Sequence, residues 1–433
     1  FARRRGQIWR PVFAPALGRP APARRPPPLP HYSFQLWLLF WGTLLSSSGQ
    51  SLVWPFLTIN IREQLDIPLT TITLLFTAQS IAGFAGTTIL GPVMDRIGRK
   101  GPMIAGLIGS SAVLFLMSQA ATLTAWAVLL PAYGVVNAVF RIGSYAMVAD
   151  MIDAERRADV YALLRMGDNV GIAVGPAIGG FLVSVAYTLS YYLAAVVQIA
   201  LAILVALRLA ETLPRQNSAS GIELIATAPA SGYGELLRDR PFLALWGLYI
   251  LVQIATSMVF VLLGVYIKEN FGIPENRFGF IIGTNAGMVV LFQYPVTRWA
   301  SRFLPLRTIT LGALVYAAGL LGFGISRAFP SFLLSMVVMT LGEVLLVPTA
   351  TALAANMAAE TMRARYMGVF SLSFRVGAGI GPVVGGLLSD HIAPAATWYG
   401  GMLFCLVPAV GFALLGRRRR VAERVTPSAE PSP

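Results

Sequence analysis

The sequence is short of the residues that build metal and disulfide sites. It has one cysteine, Cys405, and two histidines, His31 and His391, which lie far apart. We therefore exclude a disulfide framework and predict neither a metal site nor a cofactor. Charged residues are also scarce, at 12% against about 25% in soluble domains, while 56% of the residues are hydrophobic. Such a composition indicates a protein whose solvent is lipid.

The positive charge indicates membrane orientation rather than nucleic-acid binding. The net charge is +14, which in a soluble protein would suggest a nucleic-acid partner. Here the basic residues stand between long apolar runs, so we predict no nucleic-acid partner. The sequence contains no evident nucleophile with a base, metal constellation or phosphate-binding loop, so an enzyme is the class that it favours least.

Twelve apolar runs have the length of about 20 residues that crosses a bilayer. They predict membrane spans at residues 33–58, 70–93, 102–120, 123–149, 160–187, 189–209, 241–268, 276–299, 306–326, 329–353, 364–388 and 394–416. If the first span leaves the cytoplasm, 26 of the 33 Lys and Arg residues lie inside, four lie outside and three lie within spans. This asymmetry predicts a multi-pass protein of the cell membrane with both termini in the cytoplasm.

The predicted spans divide into two groups of six. We predict a six-helix bundle over residues 33–209, a linker over 210–240 that is rich in Pro, Ser and Gly, and a second bundle over 241–416. Residues 1–32 are basic and proline-rich and predict a disordered cytoplasmic extension; a transit peptide is the competing interpretation. A basic cytoplasmic tail is predicted over residues 417–433.

The two groups also resemble each other in sequence. The stretch Gly171-Ile-Ala-Val-Gly175-Pro176-Ala-Ile-Gly179-Gly180 matches Gly377-Ala-Gly-Ile-Gly381-Pro382-Val-Val-Gly385-Gly386 at a constant offset of 206 residues. Such internal similarity predicts two structural repeats related by an axis along the membrane normal.

The loop after the second span carries the most specific motif. Residues 91–100 read Gly91-Pro-Val-Met-Asp95-Arg96-Ile-Gly98-Arg99-Lys100. This resembles the G-x-x-x-D-R-x-G-R-K signature of the Major Facilitator Superfamily, and the resemblance implies an all-α membrane fold of twelve transmembrane helices in two pseudo-symmetric six-helix bundles. Gly91 permits close helix approach, Gly98 permits a tight turn, and Asp95 can pair at the cytoplasmic face. We predict a cytoplasmic gate here, against the alternative of a basic loop that only sets orientation.

The repeated glycine stretches resemble the antiporter signature G-x8-G-x3-G-P-x2-G-G of proton-coupled drug exporters. The second stretch fits it fully from Gly368, whereas Ala162 replaces the first glycine in the other. Ordinary small-residue packing explains the same spacing, so antiport remains one of two interpretations. A third family signature is absent, because Leu130 stands where the family has an arginine four residues before Gly134.

Five charged residues fall inside the predicted spans: Arg141, Arg165, Asp168, Glu343 and Arg375. Charges in a span cost a few kcal/mol and usually face a partner or a wet cavity. Arg165 and Asp168 are three apart and can pair on one helix face. Glu343 has no cation nearby on its helix, and an unpaired carboxylate out of water tends to take up a proton. We predict Glu343 as the proton carrier, with Asp168 as second choice; the alternative is a cation partner on another helix, such as Arg141 or Arg375.

Polar and aromatic residues at similar depths are candidates for lining a substrate cavity together with the three arginines. They are Gln50, Trp54, Gln79, Asn137, Tyr249, Gln253 and Asn285. The leading hypothesis is a monomeric secondary transporter that uses alternating access and protons to export amphipathic compounds, as the resemblance to drug exporters implies. The alternatives are proton-coupled uptake of a small metabolite and a non-transporting membrane helper or receptor.

Overall fold

The computed structural model describes residues 33–153, 156–213, 234, 236–358 and 362–425, and its regular structure in those ranges is entirely helical. The N-terminal half comprises α1 (Phe34–Val53), a 3-10 turn (Trp54–Phe56), α2 (Leu57–Leu65), α3 (Leu69–Ile97), α4 (Lys100–Met117), α5 (Leu123–Met151), α6 (Arg157–Val185) and α7 (Tyr187–Arg208). The C-terminal half comprises α8 (Arg240–Phe271), α9 (Glu275–Ala300), α10 (Pro305–Ile325), α11 (Phe329–Met357), α12 (Arg363–His391) and α13 (Ala396–Val425).

Eleven helices, α3 to α13, are long and apolar enough to cross a membrane. The twelfth predicted span corresponds to α1, the 3-10 turn and α2, and it is less apolar because four serines and Gln50 lie in the second half of α1. Pro55 lies in the 3-10 turn that separates α1 from α2, as expected of a residue that cannot donate a helical hydrogen bond. The twelve-span prediction therefore describes the fold, with the first span broken.

Three of the predicted segments lie at the chain ends and between the two bundles. The predicted extension over residues 1–32 and most of the predicted linker over 210–240 lie outside the described residues. The predicted tail begins at Arg417, but α13 continues as a helix to Val425. The last helix therefore continues into the predicted tail, whose place in the cytoplasm stays a prediction.

The two halves use the same pairing of helices. In the N-terminal half α1 packs on α6, α3 on α5 and α4 on α7. In the C-terminal half α8 packs on α12, α9 on α11 and α10 on α13. The halves meet mainly where α3 packs on α12 and α6 packs on α9. Every helix thus has an equivalent in the other half, which is the pattern that a duplicated six-helix unit predicts.

The apolar cores of the two halves merge at one end of the molecule only. One cluster of buried residues joins the C-terminal half to the part of the N-terminal half around Phe56, Ile72 and Trp126. A second cluster, around Leu39, Met94, Met103 and Met147, involves only residues of the N-terminal half. We call the joined end the sealed end, where α2, α6, α8 and α12 finish, and the opposite end, where most of the arginines lie, the basic end.

Candidate functional site

Ion pairs connect the two halves at the sealed end. Arg62 Nε lies 2.8 Å from Glu269 Oε1, and Lys268 Nζ pairs with the carboxylates of both Glu63 and Glu275. Tyr187 OH donates to Glu275 Oε1 at 2.7 Å. Each of the contacts to Arg62, Glu63 and Tyr187 crosses from one half to the other. We call these six residues the sealed-end cluster.

The sealed-end cluster is built from a repeated segment. Arg62-Glu-Gln-Leu-Asp66-Ile-Pro68 and Lys268-Glu-Asn-Phe-Gly272-Ile-Pro274 correspond at the offset of 206 residues. Asp66 and Gly272 both have positive φ, 46° and 63°, and each ends its helix in the left-handed conformation. The cation of each segment pairs with the glutamate of the other. The cluster is therefore a reciprocal contact between equivalent parts of the two repeats.

A carboxylate of the C-terminal half also caps a helix of the N-terminal half. Asp390 accepts hydrogen bonds from the backbone N–H of Thr70 at 2.8 Å, from the Thr70 hydroxyl at 2.8 Å and from the backbone N–H of Leu69 at 3.3 Å. These are the free N–H groups of the first turn of α3. Gly386 lies beside them, where a Cβ would be 3.0 Å from Thr70 N. Helices α3 and α12 are thereby joined at the sealed end.

At the basic end, where the predicted gate motif lies, the ion pairs of the motif do not cross between the halves. Arg99 pairs with Asp95 at 2.9 Å and with Asp150 at 3.1 Å, and it donates to the carbonyl of Met94. All three partners belong to the N-terminal half. The Arg99 side chain is 9% exposed, whereas that of Asp95 is 62% exposed. The motif therefore fastens α3 to α5 within one half in this conformation.

Glu211, three residues beyond the end of α7, completes this network. The carboxylate of Glu211 accepts backbone N–H hydrogen bonds from Arg99, Lys100, Thr212 and Leu213 at 2.9–3.1 Å. Burial raises the pKa of Glu211, but these four donors outweigh it and hold the pKa below its usual value. Gly98 has φ +104°, and a Cβ there would lie 2.6 Å from Glu211 Oε2. The tight turn that the sequence predicts at Gly98 therefore makes room for this carboxylate.

Other predicted motif residues make fewer contacts. Arg96 is exposed. At Gly91 and Gly368 an added Cβ would meet no atom within 4 Å, so the close approach predicted at Gly91 is not made in this conformation. Most of the other motif glycines do lie against a neighbouring helix. Gly171, Gly175 and Gly179 lie against α1, Gly377, Gly381 and Gly385 lie against α8, and Gly180 lies against α9. Pro176 and Pro382 lie within α6 and α12.

The five charged residues predicted within spans converge between the halves. They lie about 12 to 21 Å along their helices from the basic end, at 1.5 Å per residue. Arg141 on α5 and Arg375 on α12 come from opposite halves, lie at similar depths, and belong to helices that both pack on α3. Arg165 on α6 and Glu343 on α11 also come from opposite halves, and their helices both pack on α9. We call the space bounded by these residues the central cavity.

The two carboxylates of the central cavity have neutral partners. The Ser47 hydroxyl donates to Asp168, and the Asn285 amide donates to Glu343 at 2.8 Å. Within the described residues, no cation lies within 4.0 Å of either carboxylate. The ion pair considered between Arg165 and Asp168 is therefore wrong for this structure, because a serine of α1 takes the carboxylate instead. Among the residues that the structure describes, Glu343 likewise has no cation partner on another helix.

The three arginines of the central cavity have no ion-pair partner among the described residues. Arg141 and Arg165 are exposed although they lie deep within their helices. Arg375 is half-buried, with its guanidinium carbon 5.6 Å from the centre of the Phe84 ring. The arrangement leaves their N–H donors available to another group.

The other predicted cavity residues divide by exposure. Gln50, Trp54 and Asn137 are half-buried. Tyr249, Gln79, Gln253 and Asn285 are buried between helices: Tyr249 stacks on Phe370, and Asn285 bridges Glu343 and Thr340. The latter four do not face open space in this conformation, and their role in lining the cavity stays a prediction.

Sequence reasoning did not identify the sealed-end cluster, Asp390 or Glu211. The offset of 206 residues that relates the glycine stretches also relates Arg62 to Lys268 and Glu63 to Glu269. Extending the comparison of the repeats beyond the glycines would have found the cluster. Asp390 and Glu211 have no such signal, because each acts through backbone N–H groups, which any sequence provides.

Comparison with known proteins agrees with this architecture. Residues 39–254 and 245–433 each match the family model of the Major Facilitator Superfamily. A Na(+), Li(+), K(+)/H(+) antiporter of Planococcus maritimus is 26% identical over 390 residues, covering 83% of this chain and 88% of that protein. Multidrug resistance protein MdtH of Yersinia pestis is 24% identical over 396 residues, covering 89% and 95%.

Solved structures share the fold at low sequence identity. The nucleoside transporter NupG aligns with a TM-score of 0.74 at 13% identity and covers 89% of this chain and 100% of that one. A bacterial homologue of the human lysosomal transporter Spinster, in an inward-facing and unoccupied conformation, aligns with a TM-score of 0.71 at 13% identity, covering 90% and 96%.

Proposed function

This chain belongs to the Major Facilitator Superfamily, and from that premise we propose that it is a proton-coupled secondary transporter that exports small amphipathic organic compounds by alternating access. Membership makes it a multi-pass membrane transporter of a small-molecule substrate and not an enzyme. Export, proton coupling and the site residues are the proposed part.

The difference between the two ends supports alternating access. The halves are joined by ion pairs and a helix cap at the sealed end, whereas the described contacts of the motif at the basic end stay within the N-terminal half. The excess of arginines at the basic end supports placing it in the cytoplasm. In the proposed orientation, the structure represents a state open to the cytoplasm.

The surroundings of Glu343 support its role as proton carrier. A proton carrier must change charge during the cycle, which the arginines cannot do because they stay protonated. Glu343 is held by the neutral amide of Asn285 rather than by a cation, and Asn285 lies on α9, the helix that packs on α6 of the other half. A neutral donor can hold the carboxyl group in either its ionised or its protonated form. Movement of the halves can therefore shift the balance between these two forms. This is the observation on which the proposal depends most.

The direction of transport rests on weaker support. The names of two relatives, an alkali-cation/proton antiporter and a multidrug resistance protein, and the resemblance of α12 to the drug-exporter signature favour efflux. One observation favours uptake by symport: protonation of Glu343 would add positive charge to a cavity with three arginines, so a proton and a negatively charged solute would bind together.

The test of the proposed function is flux into proteoliposomes under an imposed pH gradient. The substrates offered are amphipathic cations, amphipathic anions, sugars and the alkali cations, and the variants are Glu343→Gln and Asp168→Asn. We expect gradient-driven flux that Glu343→Gln abolishes and that exchanges solute against protons. Flux of solute in the same direction as protons would select uptake. Full flux in Glu343→Gln, with loss in a folded Asp168→Asn, would transfer the role to Asp168.

A further inference from the structure

The central cavity carries more positive than negative charge in every protonation state of its carboxyl groups. Three arginines face two carboxyl groups, Asp168 and Glu343. With both carboxylates ionised these five groups sum to +1, and protonation of either raises the sum. A site that binds lipophilic cations would need the opposite sign, because like charges repel strongly where water is partly excluded.

The arginines are not neutralised by the protein itself. Arg141, Arg165 and Arg375 have no carboxylate within 4.0 Å among the described residues, since Ser47 and Asn285 occupy Asp168 and Glu343. An unpaired charge at this depth is costly and is retained chiefly where it serves function. Arg141 and Arg375 lie at similar depths on α5 and α12, which come from opposite halves and both pack on α3. A bound anion would offset the repulsion between two such like charges.

The chemistry of these side chains indicates which anion. The guanidinium group presents N–H donors in a planar fork that fits the two oxygens of a carboxylate or phosphate. Arg375 lies over the Phe84 ring, which occupies a face of the guanidinium and leaves its N–H edge free. Stacked pairs of aromatic rings lie nearby, with Tyr145 and Tyr161 centred 5.1 Å apart. Tyr145 lies one turn from Arg141 on α5, and Tyr161 lies one turn from Arg165 on α6, so each ring shares a helix face with one of these arginines.

We propose that the substrate is an amphipathic organic anion, whose carboxylate or phosphate group lies between Arg141 and Arg375 with Arg165 as a further donor and whose apolar part lies against the aromatic rings. The inference deepens the proposed function and rests on it only in that the central cavity receives a substrate. It assigns an anionic charge class to that substrate, which the family does not assign and which differs from the alkali cations in the name of one relative.

Equilibrium binding tests the inference without any gradient. The protein is placed in nanodiscs of phosphatidylcholine, and the probes share one aromatic group: 2-naphthoate and 2-naphthyl phosphate as anions, 2-naphthalenemethanol as the neutral compound and 2-naphthylmethylammonium as the cation. We expect both anions to bind at least about tenfold more tightly than the neutral compound, and the cation to bind most weakly. Preference for one anion over the other distinguishes a carboxylate from a phosphate substrate.

Variants locate the bound anion. Arg141→Gln and Arg375→Gln should each weaken anion binding about tenfold, and the lysine variants should recover part of the loss because they keep the charge but not the fork. Arg327→Gln is the matched control, since Arg327 is an exposed arginine that lies over the Phe271 ring at the sealed end. Size-exclusion profiles establish that each variant is folded.

Three outcomes would overturn the inference: anions that bind no better than the neutral compound, a cation that binds best, or anion affinity unchanged in folded Arg141→Gln and Arg375→Gln. Failure of the proposed function is distinguishable. Tight anion binding without proton-driven flux would reject proton coupling and leave the anionic charge class in place. Proton-driven flux of cations alone would support proton coupling and reject the anionic charge class.

Discussion

The sealed end and the basic end of this molecule differ in the contacts that their charged residues make. At the sealed end, Arg62-Glu63 and Lys268-Glu269 occupy equivalent positions in the two repeats and pair reciprocally across the halves. At the basic end, the equivalents of Asp95 and Arg99 are Ser301 and Pro305, so the C-terminal half keeps nearby arginines but lacks the Asp95–Arg99 pair of the motif. The sealed end therefore has a symmetric contact between the halves, whereas the ion pairs of the motif at the basic end belong to one half.

This difference has a consequence for the transport cycle. Opening the sealed end must break at least two ion pairs between halves and the Asp390 cap on α3. The described ion pairs of the basic end lie within the N-terminal half and can persist in either state. The relative stability of the two states should therefore respond most to changes at the sealed end.

The largest effect is expected from charge reversal at Lys268. In Lys268→Glu, the carboxylates of Glu63 and Glu275 face a third negative charge, which should open the sealed end. We expect a cysteine at the buried position Ile59, in a Cys405→Ser background, to react with a membrane-impermeant thiol reagent at least about tenfold faster, equivalent to 1.4 kcal/mol.

The control for this prediction is Arg327→Glu, which makes the same charge change at the same end in a residue outside the cluster. Adding Glu63→Lys to Lys268→Glu should restore slow labelling, because the pair is re-formed with its charges exchanged. Equal labelling rates in wild type and Lys268→Glu would mean that the cluster does not hold the sealed end closed.

A smaller effect is expected from Asp390→Asn. The amide keeps one acceptor for Thr70 N–H but loses the charge that favours the positive end of α3. The loss should be about 1 kcal/mol, which is roughly a fivefold rise in labelling at Ile59. Asp66→Asn is the matched control, because Asp66 is an exposed aspartate at the same end. An effect of equal size in both variants would attribute it to general charge rather than to the cap.

Asp95→Asn should change the present state little. Asp95 is 62% exposed and pairs with Arg99, which lies just after the end of α3, and such surface pairs contribute about 0.2–1 kcal/mol. If Asp95 pairs with the C-terminal half when the basic end closes, the variant should instead slow transport while binding stays near wild type. Wild-type flux in Asp95→Asn would reduce the motif to a structural contact of the N-terminal half.

The smallest effect is expected from Glu211→Gln. Because the pKa of Glu211 is depressed, its ionised carboxylate stabilises the fold at pH values above the usual pKa of glutamate, about 4.3. This stabilisation is lost as the pH falls through the lower pKa that Glu211 has in the folded protein. At pH 7 the variant should melt about 1–2 °C lower than wild type. The difference should be unchanged between pH 6 and 8; a difference that varies across that range would contradict the assignment.

Much of the fold follows from the sequence because membrane spans are local patterns. Runs of about 20 apolar residues must become helices in lipid, and the span limits agree with the helices to within several residues. Pairing of side chains between helices is not local. Spacing alone could not reveal that Ser47 of α1, and not Arg165, contacts Asp168.

The sequence indicates the charged residues of the candidate site but not their contacts, and the roles of these residues stay predictions. Glu343 and the three arginines were identified because charges in apolar spans are rare. Tyr249 and Gln253 were expected to line the cavity, yet they are buried between helices in this state, since the helix face that a residue occupies depends on the partner helix. The ion pair between Arg62 and Glu269 is a contact of the same kind, because residues 62 and 269 come together only in the three-dimensional structure.

The central claim is that the two ends open alternately, and paired distances measure this directly. Spin labels at Gly101 and Ser301 report the basic end, and labels at Gln119 and Arg327 report the sealed end, both in the Cys405→Ser background. Distances are measured by double electron–electron resonance in wild type and in Lys268→Glu. Lengthening at the sealed end together with shortening at the basic end is the predicted result. Lengthening at the sealed end with no change at the basic end would contradict alternating access.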